Sequence, residues 1–140
     1  MGAISREDLI ELAEAKVADA RVLFDKERYS NAFYLFGYGM EIGLKACIAR
    51  QFRAETIPDK NFANKIFTHK LAELVNLAGL GPTFEAMKRD DLVFAAHSDI
   101  VFTWSEETRY EMIDKVRCEA MYAAFDDDEH GVWTWLRERW

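Results

Sequence analysis

Proline is nearly missing from this sequence. Only Pro58 and Pro82 interrupt its 140 residues, so almost nothing forces a break in helical backbone. Cysteine is as scarce, at two residues. Cys47 and Cys118 form no CxxC pair and sit inside apolar helical patterns, which argues against a disulfide framework and predicts reduced thiols in a cytoplasmic chain. Of the three histidines, His69, His97 and His130, none has a second His or Cys at zinc-ligand spacing, so no metal is expected. No run approaches the roughly 18 apolar residues of a membrane span. The opening Met1-Gly2-Ala3-Ile4-Ser5-Arg6 has no signal-peptide core, and Arg6 stands where a myristoylation motif needs Ser or Thr.

Catalytic signatures are missing as well. There is no GxGxxG, GxxxxGK[ST], HExxH, GxSxG or EF-hand loop, which removes the common enzyme classes and signals no cofactor. Nor is there an excess of positive charge. With 18 basic residues against 25 acidic ones, net −7, the chain cannot hold duplex DNA by bulk electrostatics, and any nucleic-acid contact must be local. The acid gathers at Glu106-Glu107 and at Asp126-Asp127-Asp128-Glu129. Lys45, Arg50, Arg53, Lys60, Lys65 and Lys70 leave the middle comparatively basic.

What is present is a regular apolar pattern. Half the residues are hydrophobic, enough for one core, and they recur at helical spacing, so residues 1–140 read as a single all-α domain. The expected architecture is an up-and-down bundle of four to five main helices plus a short C-terminal helix. Helix one begins at the cap Ser5 with Asp8 completing a capping box, carries Leu9, Leu12, Val17, Ala20, Leu23 and Phe24 on one side, and ends at Lys26-Glu27-Arg28. Helix two runs from about Ser30 to Arg53 with a stripe of Phe33, Phe36, Met40, Leu44 and Ile48. A loop spans Ala54 to Phe67. Helix three follows Thr68 and stops at Gly79-Leu80, a fourth runs from Phe84 through Val101 toward Trp104, a fifth holds Ile113, Val116, Ala120, Met121 and Ala124, and the last presents Val132, Trp133, Leu136 and Trp140.

Three groups of residues stand out within this pattern. Gly39, Gly43 and Ala46 make a small-residue face in helix two, where each glycine costs about 1 kcal/mol relative to alanine. Close packing of a helix from the same chain or a second subunit would compensate. Glu41 and Lys45 lie one turn apart in an apolar stretch, fitting either an intrahelical ion pair at the bundle edge or a polar site at a helix junction. Trp104-Ser105-Glu106-Glu107-Thr108-Arg109-Tyr110 joins an aromatic, a cap and an Arg-Tyr pair, so Trp104, Arg109 and Tyr110 form a candidate phosphate site. The alternative is Arg109 paired with Glu106 or Glu107 and Tyr110 packed in the core. His69, directly after a cap, reads as a surface histidine.

Taken together, four stretches resemble the HEPN domain (higher eukaryotes and prokaryotes nucleotide-binding). They are Arg28-Tyr29-Ser30-Asn31-Ala32-Phe33-Tyr34 running into Gly37-Tyr38-Gly39-Met40-Glu41-Ile42-Gly43-Leu44-Lys45-Ala46, then Thr68-His69-Lys70-Leu71, then the Trp104–Tyr110 stretch, followed by Gly131-Val132-Trp133-Thr134-Trp135-Leu136 at the end. The resemblance covers nearly the whole chain in order. It implies a helical bundle that forms a homodimer through a helix face, and two functional branches. One is a metal-independent ribonuclease in which an arginine is followed after four to six residues by a histidine. The other lacks that pair and is tied to nucleotide binding or to a minimal nucleotidyltransferase partner, often in toxin–antitoxin or defence settings.

Arg109 matches the family arginine, but positions 114 to 116 read Asp114-Lys115-Val116. The expectation is therefore a dimeric binding protein, partner of a nucleotidyltransferase, with nucleotide or single-stranded RNA phosphate near Arg109 and Tyr110. The alternatives are a ribonuclease with an altered acid/base residue, in which Arg109 is catalytic, and a non-catalytic dimeric scaffold.

Overall fold

The computed structural model describes residues 2–140. Among them are eight α-helices, one 3₁₀ turn and no strand, so the fold is all-α: α1 Arg6–Asp25, α2 Tyr29–Ala49, α3 Lys60–Lys65, α4 Leu71–Leu77, α5 Gly81–Asp90, α6 Leu92–Val101, the 3₁₀ turn Glu106–Tyr110, α7 Lys115–Asp126 and α8 Val132–Arg137. None of these helices is long and apolar enough to cross a membrane.

Helix α2 is the axis of the bundle. α1, α4, α7, α8 and the 3₁₀ turn all pack on it, because it is apolar nearly all round, and its stripe Phe33, Phe36, Met40, Leu44 and Ile48 is fully inside. The Ser5/Asp8 capping box starts α1. On α1 the core positions are Ala13, Val17 and Ala20, whereas Leu12 is left 42% exposed. The missing side chain at Gly39 is what lets the two backbones close up. A Cβ placed on Gly39 would lie 2.5 Å from Val17 Cγ2 and 3.3 Å from the Ala13 carbonyl oxygen. One on Gly43 would lie 2.7 Å from Leu136 Cδ2 and 3.2 Å from Trp140 Cζ3, and Ala46 is fully buried. The small-residue face is thus covered by α1 and α8 of the same chain, and a second subunit would have to use another surface.

Several expected boundaries shift. Helix two ends at Ala49 rather than Arg53, and the expected loop 54–67 contains the short helix α3, capped by the Asp59 carboxylate accepting from the Phe62 N–H at 2.9 Å. The expected fourth helix is two helices. Asp91 breaks it with extended backbone (φ −136°, ψ 100°) and restarts it by accepting from the N–H groups of Val93 and Phe94. Ile113 precedes α7, and Val116 is 74% exposed instead of lying on its buried face. The Gly79-Leu80 stop forms as expected: Gly79 is left-handed at φ 74°, and the Leu80 N–H donates to the Val75 carbonyl at 3.0 Å.

Two histidine–aspartate pairs cross between α6 and the turn joining α7 to α8. The second Asp91 oxygen lies 2.6 Å from His130 Nδ1. Asp127 accepts from the N–H groups of Glu129 and His130 and lies 3.1 Å from His97 Nε2. The backbone N–H groups of His130 and Glu129, with His97, hold the Asp127 carboxyl down at about 2, while the bond to Asp91 raises His130 above its ordinary 6.5.

These shifts set the pH window of the clasp. Stability from Asp127 is present above the ordinary value of 3.8 and is lost as pH falls toward about 2. Stability from His130 is present below 6.5 and is lost as pH rises through its raised folded value. The expected result is that His130→Asn lowers the melting temperature at pH 5 and converges on the wild-type protein at alkaline pH. Parallel Tm–pH profiles for the two proteins would contradict it.

Candidate functional site

One face of α2 carries Tyr34, Tyr38, Glu41 and Lys45 at spacings of four, three and four residues, a polar and aromatic stripe beside the apolar ones. Glu41 is its buried member. Its side chain is only 4% exposed, and it accepts from Lys45 Nζ at 3.2 Å. The ion pair expected from the spacing forms, and the structure adds a third partner: His69 Nδ1 lies 3.1 Å from each Glu41 oxygen.

The turn before α4 brings His69 there. Thr68 Oγ1 accepts from the Lys70 N–H at 3.2 Å and donates to Glu73 at 2.9 Å, fixing the turn ahead of the helix, although Lys70 rather than Thr68 holds the cap position. His69 is half-exposed, so the reading of it as a surface histidine describes only its outer edge. Nδ1 is turned inward to the carboxylate, and Nε2 looks outward, 3.4 Å from Glu106 Oε2. A histidine oriented by a buried carboxylate presents one defined ring nitrogen to whatever enters the cleft.

Glu106 comes from the 3₁₀ turn. Ser105 caps it by accepting from the Glu107 N–H, and the buried Thr108 hydroxyl donates to the Ser105 carbonyl at 2.8 Å. Side chains three apart eclipse in such a turn, so Glu106 and Arg109 project together toward α2. Glu106 meets His69. Arg109 lies near the Tyr34 side chain and over the Tyr110 ring, 5.0 Å from its centroid. The tyrosine hydroxyls raise the guanidinium's already high pKa, and burial, with Tyr38 beside it, raises that of Tyr34, keeping its hydroxyl protonated.

The expected pairing of Arg109 with Glu106 or Glu107 is absent. Glu106 is taken by His69, and Glu111, on the far side, by Arg117. Tyr110 is 79% exposed and does not pack in the core. Trp104 plays another part than expected. It is 4% exposed, its Nε1–H donates to the Tyr34 carbonyl at 3.1 Å, and its indole lies flat against Gly37. Its face is therefore not open for a base to stack on. It fastens the 3₁₀ turn to α2.

His69, Lys70, Trp104, Ser105, Glu106 and Glu107 line an open cleft of about 420 Å³. Of the residues singled out from the sequence, Glu41 and Lys45 come together as an ion pair and Arg109 lies apart from them in the 3₁₀ turn; His69, Tyr34 and Gly37 were not among the site candidates. All three fall inside the stretches quoted above for the HEPN resemblance. No cluster of His, Cys, Asp and Glu suited to a metal ion occurs among the described residues. Comparison with known proteins finds no matching family model, no matching curated protein and no matching solved structure.

Proposed function

We propose that this chain is a HEPN-like, dimeric binding protein that holds the phosphate of a nucleotide or of single-stranded RNA at Arg109 and acts with a minimal nucleotidyltransferase partner. The observation that carries the reading is Arg109 itself: an exposed guanidinium with no carboxylate partner, flanked by the hydroxyl of Tyr34 and the exposed ring of Tyr110. A planar guanidinium donates its forked N–H groups to phosphate oxygens, and an exposed aromatic beside it gives a base a surface to stack on. Calorimetric titration with ATP and with a uridine dinucleotide tests it. Arg109→Ala removes a charge-assisted contact worth about 1.5–3 kcal/mol, so binding falls about 10- to 150-fold while the unfolding midpoint stays put. Equal affinity in both proteins would refute the site.

A ribonuclease reading is favoured by one further observation, the buried Glu41 carboxylate on His69 Nδ1. The family histidine is missing after Arg109, and His69 is the residue here that could exchange a proton with a ribose 2′-hydroxyl. Incubation of labelled RNA in EDTA decides between the two. Cleavage that disappears in both Arg109→Ala and His69→Asn would make the protein a nuclease. Intact RNA that is nevertheless retained leaves the binding protein.

A further inference from the structure

The basic middle of the chain lies mostly at the surface beyond the end of α2. Residues 45–70 hold six Lys and Arg against two acids, +4, while the rest of the chain carries −11. Within it Arg53, Lys60 and Lys65 are exposed, and none of them appears in an ion pair. Asp59, the acid closest to two of them in sequence, is engaged in capping α3.

Two adjoining depressions are lined from this segment, and a third opens at its end. A cleft of about 210 Å³ is walled by Arg53, Phe52 and Phe62. Phe52 also walls the next, an apolar groove of about 520 Å³ that reaches Lys45 and Phe67. Phe67 stands two residues before His69, which opens the cleft of the candidate site. The rings at the two junctions are uncovered, Phe52 by 38% and Phe67 by 74%. A flexible polyanion bearing flat rings at regular intervals matches such a run of cations and exposed aromatics, because stacking tolerates any base and the cations follow the backbone. An acidic peptide satisfies only the charge. A lipid surface meets charge and apolar contact but gives no reason for the run to continue into the Arg109 site.

We propose that the face from Arg53 through Lys60, Lys65 and Phe67 to His69 is a track for single-stranded RNA whose end is the phosphate site at Arg109. The proposal rests on the reading of Arg109 given above and specifies its ligand as an oligonucleotide several residues long.

Fluorescence anisotropy on labelled oligouridylates of two and twelve residues, with the 140-residue chain, tests it. The twelve-residue strand is expected to bind at least tenfold more tightly than the dinucleotide and to weaken with salt at a log–log slope of about −2, the value for three single-strand phosphate contacts. Lys60→Glu with Lys65→Glu should abolish that length advantage and leave the dinucleotide unaffected. Phe67→Ala, a substitution of an exposed side chain, should cost the long strand about tenfold. Equal affinity at both lengths overturns the track, as does a double variant that binds the long strand like wild type. Preference for vesicles of phosphatidylcholine and phosphatidylglycerol over RNA, lost in the double variant, overturns it in favour of a lipid surface. Failure of the Arg109 reading is separately visible: Arg109→Ala would leave dinucleotide binding unchanged whatever the long strand does.

Discussion

Gly37→Ala is expected to destabilise the protein by about 3 kcal/mol, the upper end of what overpacking a core costs. The new methyl group would be driven into the five-membered ring of Trp104, and the indole has no easy retreat. It is 4% exposed, and its Nε1–H is tied to the carbonyl of Tyr34, three residues from Gly37 on the same helix. Either the ring is expelled, losing that bond and its packing, or α2 and the 3₁₀ turn separate. In both cases Glu106 and Arg109 leave His69 and Tyr34, so the phosphate binding proposed for Arg109 should fall along with stability.

Two other glycines serve as controls. At Gly2 a Cβ meets nothing within 4 Å, so alanine there should be neutral. At Gly79 there is also space, but φ is 74°, and alanine should cost about 1 kcal/mol from backbone strain alone. Urea denaturation ranks the three, and a Gly37→Ala midpoint no lower than that of Gly79→Ala would show that the indole contact is unimportant.

The second large effect is expected at Glu41. Its carboxylate is 4% exposed and holds both Lys45 and His69, so Glu41→Ala removes the shared acceptor and leaves two side chains without their partner. Removing one member of a buried pair costs about 3–5 kcal/mol. Here Lys45 is 23% and His69 49% exposed, and both can recover water, which places the expected loss near 3 kcal/mol, the lower limit. Glu41→Gln keeps an acceptor and nearly the same volume, and should cost about 1–2 kcal/mol.

A double-mutant cycle between Glu41→Gln and His69→Asn isolates their coupling, expected at about 1 kcal/mol for groups in one network. Additive effects would mean that the carboxylate and the ring are neighbours without mutual dependence. Because Glu41 fixes the direction of Nε2, Glu41→Gln should also weaken any His69-dependent event in the cleft more than Lys45→Met does.

The core was largely readable from the residues, for a simple reason. Burial follows apolar periodicity, and in α2 the pattern is so dense that any helical phase buries Phe33, Phe36, Met40, Leu44 and Ile48. Local signals with a chemical mechanism were equally plain: the Ser5/Asp8 box and the Gly79 stop each use only neighbouring backbone groups. Asp91 was harder. Its apolar flanks continue the helical pattern on both sides, and what makes it a break is the combination of a cap on α6 with His130, 39 residues away.

The site shows the same division. That Glu41 and Lys45 pair follows from their spacing along one helix, and that Arg109 lies in a short capped turn follows from Ser105. The chain's own order thus determined an all-α fold, an apolar central helix and a set of polar residues worth attention. Only the tertiary structure decided that His69 belongs with Glu41, that Trp104 is a fastener rather than a stacking platform, and that Gly39 and Gly43 of α2 are covered by α1 and α8. These are contacts between segments from about 25 to nearly 100 residues apart. They depend on which face each helix turns to its neighbour once the whole core has closed, and no local periodicity carries that information.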